Sequence, residues 1–98
     1  MAIHIDDNYK LHDMYKYCFR VIVPLGSPNG YGGHTVILGF DNKEGFEECV
    51  KYIDNNAFLR YNVVWLVTND GKEIWNSLGK NFAEEHYKYM DILNDKEW

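Results

Sequence analysis

Three observations predict an α+β fold, a single two-layer domain of order β-β-α-β-β-α. Alternating apolar and polar residues flank a glycine-rich loop, which is the pattern of a hairpin. Two later segments carry apolar residues at helical spacing behind a capping signal. No linker, repeat or low-complexity tract divides the 98 residues, so one core serves the whole chain. The expected architecture is a mainly antiparallel four-stranded sheet with two helices on one face. A polar N-terminal arm over residues 1–14 precedes the domain proper at 15–98.

The segment YKYCFRVIVPL puts Tyr15, Tyr17, Phe19, Val21, Val23 and Leu25 on one face and Lys16, Cys18, Arg20 and Ile22 on the other, a strand with one buried face. HTVILGF follows, with His34, Val36, Leu38 and Phe40 opposed to Thr35 and Ile37, and the two runs form a long-looped hairpin. Asp41 with Glu44 has the spacing of a capping box, which opens a helix at Asp41. Phe46, Cys49, Val50 and Ile53 form its inner face, and Asn55 and Asn56 end it, because asparagine tolerates left-handed backbone.

YNVVWLVT is apolar on both faces through Val63, Val64, Trp65, Leu66 and Val67, as an interior strand is. Asn69, Asp70 and Gly71 suit a tight turn, with Gly71 at positive φ, into a strand containing Ile74 and Trp75. The last helix runs from about Asn81 to Asn94, opened by a second box of Asn81 with Glu84, with Phe82, His86, Tyr89 and Leu93 inward and Glu84 and Lys88 supporting it at i, i+4. A right-handed crossover makes the second and third strands parallel, and the first strand fits between them, giving order 2-1-3-4. Residues 2–5 are a candidate extra strand.

Composition bounds the function. Neither a signal peptide nor an apolar run of the roughly 18 residues that a spanning helix requires is evident, so a cytoplasmic protein without membrane contact is expected. The net charge of −5 argues against direct nucleic-acid binding, which needs a basic stripe. Cys18 and Cys49 fall inside a strand and a helix, where packed free thiols are usual.

Candidate chemistry is sparse. His4, Asp6, Asp7, His12 and Asp13 are all metal-ligand types, but their spacing gives no helical pair with a third ligand, and no metal or cofactor is expected. Nucleophilic catalysis would require Cys18, Cys49, Ser27 or Ser77 beside a histidine, and adjacent carboxylates such as Glu47 with Glu48 point to different azimuths, so no catalytic residue is assigned. The loop PLGSPNGYGG, residues 24–33, lacks the lysine of a phosphate loop and leads into a strand. Tyr31 and Asn29 are its candidate contacts, since a glycine-flanked tyrosine is a typical interface anchor.

Charge carries the leading expectation. The stretch 41–54 holds five acids against two bases, and 84–97 does the same; each is −3, and together they exceed the whole chain's charge. The strands hold the compensating Lys16, Arg20 and Arg60. With both helices on one sheet face, Glu44, Glu47, Glu48, Asp54, Glu84, Glu85, Asp91 and Asp95 form an acidic wall whose field attracts basic surfaces. The other face, with Lys16, Cys18, Arg20, Ile22, Asn62, Val64 and Leu66, suits a partner or homodimer contact.

The resulting expectation is a small acidic protein-interaction module of phage- or mobile-element-type composition. It would act as an inhibitor that mimics nucleic acid and occupies a basic surface of a target protein. A small-ligand or nucleotide-binding domain closing the 24–33 loop over its ligand is the first alternative. A small enzyme using His4, His12, His34 and His86 is the second.

Overall fold

The computed structural model describes residues 2–5, 14–26 and 32–94. Among these residues five strands form one sheet: β1 (Ala2–Ile5), β2 (Tyr17–Ile22), β3 (Thr35–Phe40), β4 (Val64–Thr68) and β5 (Glu73–Asn76), in the order β1-β3-β2-β4-β5. Every neighbouring pair is antiparallel. Strand β2 lies between β3 and β4, which is the 2-1-3-4 arrangement, and β1 adds a fifth strand beyond β3. Helices α1 (Lys43–Asp54), α2 (Ala57–Arg60) and α3 (Phe82–Asn94) complete the α+β fold.

The hairpin of β2 and β3 pairs Tyr17 with Phe40 and Ile22 with Thr35, and backbone bonds between Val23 and residues His34 and Gly33 carry the ladder one step further. Alternation along β2 follows directly: Phe19 and Val21 are buried in the main core, while Arg20 and Ile22 are exposed. Tyr15 and Leu25 depart from the expected face. Both lie beyond the strand ends, where the period of two no longer applies; Leu25 is 89% exposed and Tyr15 packs toward the opposite face.

Phe19 is the centre of the core. Its ring lies 5.3 Å from Phe40, 5.5 Å from Phe46 on α1, and 5.4 and 5.2 Å from Phe82 and Tyr89 on α3. One sheet side chain therefore touches both long helices. Cys49 and Ile53 from α1, Leu59 from α2 and Leu93 from α3 belong to the same buried cluster. Two buried polar side chains are paired there: Ser77 Oγ accepts the Val64 N–H at 3.0 Å, and the Tyr89 hydroxyl donates to the Val64 carbonyl, whereas the buried Trp75 Nε1 at the cluster's edge has no hydrogen-bond partner among the described residues.

Strand β4 corrects the expected face assignment. Its register on β2 sets Val64 opposite Val21 and Leu66 opposite Phe19, so both point into the main core, and Trp65 and Val67 point away with Arg20 and Cys18. Continuous apolar character carries no phase, and only pairing decides it. The second face holds a smaller cluster of Cys18, Ile37 and Val67, with Tyr15 and Trp65 packed against it. Gly39 belongs there because a Cβ at that position would stand 2.5 Å from the Tyr15 ring.

The helix boundaries also move. Asn42, not Asp41, caps α1, accepting the Gly45 N–H at 2.9 Å from an extended backbone conformation. Asp41 is released to accept the Lys16 N–H at 2.7 Å, which ties the helix entrance to the start of β2. Asn55 ends α1 at φ −81°, right-handed rather than left-handed, and Asn56 caps the unexpected α2 by accepting the Phe58 N–H. The second capping site is where the spacing placed it: Asn81 Oδ1 accepts from Ala83 N–H at 3.0 Å. Gly71 takes φ +81° in the β4–β5 turn, as expected.

Candidate partner-binding surfaces

The acidic residues divide by burial. On α1, Glu44, Glu47 and Glu48 are exposed, and on α3 so are Glu84 and Asp91. Glu44, Glu47, Glu84 and Asp91 make no ion pair among the described residues. Their charge is left to act on what approaches from outside.

Two acids depart from the expected wall. Glu85 is buried at 7% exposure, with Lys88 Nζ at 2.7 Å and Lys80 Nζ at 3.8 Å. The hydrogen bond from Lys88 holds the Glu85 carboxyl below its ordinary value, and the same bond raises Lys88. The helical azimuth that brings Phe82 and Tyr89 inward carries Glu85 with them, at i+3 and i−4, while His86 turns half outward. Asp54 is half-buried, with Oδ1 shielded from solvent and no hydrogen-bond partner. Asp95, together with Tyr31 and Asn29 of the loop, lies outside the described residues.

Between α1 and α3 the surface opens into a groove of about 210 Å³. Phe46, Val50 and Met90 give it an apolar floor, and Glu47, Lys51 and His86 stand around it. The His86 ring is fixed by Nδ1, 3.0 Å from the Ala83 carbonyl. A carbonyl only accepts, so Nδ1 carries the proton in this bond. Met90 was not marked by the sequence pattern; its spacing of four from His86 was the available signal.

A second depression, of about 360 Å³, lies at the opposite type of surface: Pro24, Leu25, Gly26, Ala57, Phe58, Tyr61 and Asn62 line it, without a charged side chain. Phe58 and Tyr61 are exposed beside Leu25, and Arg60 stacks on the Tyr61 ring at 4.9 Å while donating to its hydroxyl. This site depends on α2, a single turn too short to leave a periodic apolar signature in the sequence. Asn55 ends α1, and the adjacent Asn56 starts the short helix that presents Phe58.

Among the described residues the candidate nucleophiles Cys18, Cys49 and Ser77 are packed away. Cys49 is fully buried, and burial pushes its thiol up to about 12, so it remains protonated and inert near neutral pH. Cys18 is buried in the cluster on the other face of the sheet, and both thiols are free. Ser77 is buried with its oxygen engaged by the Val64 N–H. Among the described residues no group of three His, Cys, Asp or Glu side chains is placed to hold a metal ion; Asp6, Asp7, His12 and Asp13 of the arm, and Ser27, lie outside them.

No described helix is long and apolar enough to cross a membrane. Comparison with protein-family models, with curated proteins and with solved structures finds no match for this chain.

Proposed function

We propose that this protein is a protein-binding module that presents the acidic outer surface of α1 and α3 to a basic surface of a target. It would inhibit the target by occupying a site that otherwise holds nucleic acid, in the manner of small proteins encoded by phages and mobile elements. The observation that carries the reading is the set Glu44, Glu47, Glu84 and Asp91, exposed on the two helices and unpaired among the described residues. Charges held on rigid helices keep their spacing, and electrostatic complementarity governs encounter rate and partner choice more than raw affinity.

The test compares wild type with the triple variant Glu44→Lys, Glu47→Lys, Glu48→Lys, each immobilised and exposed to host lysate at low salt. The wild type should retain basic nucleic-acid-binding proteins, and added duplex DNA or salt should release them. The variant should retain the melting temperature to within a few degrees and lose the bound proteins. Equal retention by the folded variant overturns the proposal.

A further inference from the structure

We propose that the groove between α1 and α3 seats one bulky apolar side chain of the partner, carried on a segment with lysines or arginines on one flank. The inference rests on the acidic-surface reading and names what that surface recognises. At about 210 Å³ the groove is smaller than the roughly 300–1,000 Å³ of small-molecule pockets, which suits a single anchoring side chain. Phe46 supplies a rigid floor, and Val50 and Met90, both half-buried, leave apolar surface for the anchor to cover. Methionine is unbranched and polarizable, so Met90 adapts to an aromatic neighbour without a fixed shape.

Charge gives the site a direction. Glu47 stands at the groove, with Glu44 one turn earlier on the same helix, whereas Lys51 stands one turn later. A cation beside the anchor is attracted at the Glu44–Glu47 end and repelled at the Lys51 end. The segment that fits is therefore asymmetric, apolar at the groove and basic on the side facing Glu47. An apolar anchor surrounded by charges at the rim is the usual anatomy of an interface hot spot.

Fluorescein-labelled synthetic peptides provide the test, each a run of lysines and arginines followed by one tryptophan, with binding read by anisotropy at low salt. The parent peptide should bind wild-type protein. Replacing its tryptophan by alanine should weaken binding by about tenfold or more, and Met90→Lys in the protein should do the same while far-UV circular dichroism stays unchanged. Glu47→Lys should weaken the parent peptide and flatten its salt dependence. Because the peptide change leaves the protein untouched, the proposal stays testable if Met90→Lys fails to fold. Equal affinity for the tryptophan and alanine peptides overturns the groove and leaves the acidic surface standing. No binding of either basic peptide overturns both.

Discussion

The two faces of the sheet are built to different standards. Among the described residues, one is covered by side chains from α1, α2 and α3 around Phe19, in a cluster of fifteen buried residues, and the other holds a cluster of three, Cys18, Ile37 and Val67, under Tyr15 and Trp65. Cohesion is thus concentrated where the helices meet the sheet. The outer surfaces of those same helices contribute little to it, which frees Glu44, Glu47, Glu84 and Asp91 to be placed for a partner rather than for the core.

The largest effect that probes this contrast is expected from Phe19→Ala. Removing a ring that contacts four other aromatic rings should cost about 4 kcal/mol, whereas Ile37→Ala in the smaller cluster should cost about 2 kcal/mol. Urea denaturation of both variants measures the difference. Equal losses would show that the second face holds the fold as firmly as the first.

Gly39→Ala sharpens the description of the smaller face. Its new methyl would meet the Tyr15 ring at 2.5 Å, and such overpacking should cost about 1–2 kcal/mol. In a Tyr15→Ala background the same change should cost nothing or stabilise slightly, because alanine loses less backbone freedom than glycine on folding. Additive effects in that double-mutant cycle would mean that the ring does not determine the need for glycine.

The smallest effect concerns the inward acid of α3. Since the folded Glu85 value lies below the ordinary one, the native state binds fewer protons than the unfolded state in acid, and stability rises with pH there. The contribution is fully present above the ordinary glutamate value and is lost as pH falls through the lowered one. Lys88, raised by the same bond, contributes below the ordinary lysine value and loses its part as pH rises through the raised one. Glu85→Gln should therefore melt below wild type by a constant interval near neutral pH, and the interval should close in acid. An interval that persists unchanged to low pH would assign the difference to packing rather than to the ion pair.

Much of the fold was legible in the sequence because it follows from local periodicity. The alternation from Tyr17 to Ile22, the helical spacing of Phe46, Cys49 and Ile53, and Gly71 in its turn all report geometry within a few residues. The acidic helix surface was legible in part for the same reason. Glu44, Glu47 and Glu48 lie opposite an obvious apolar stripe, whereas on α3 the stripe permits two azimuths, and Glu85 rather than His86 occupies the inner one. The groove was not legible, since Val50 and Met90 lie 40 positions apart in the chain and only helix packing brings them together.

The sequence by itself determined the four main strands and the two long helices, the second helix cap and the excess of acid on the helices, because each rests on short-range spacing or on charge count, and the crossover rule supplied the strand order around β2, whereas the single turn of α2 left no such signal. Tertiary structure alone decided the phase of β4, the edge position of β1, the inward turn of Glu85 and the existence of both surface depressions. Those depend on which residues face one another across a ladder or between helices, and a chain that is apolar on both sides of a strand, or stripe-ambiguous on a helix, leaves that choice to the contacts made in the folded state.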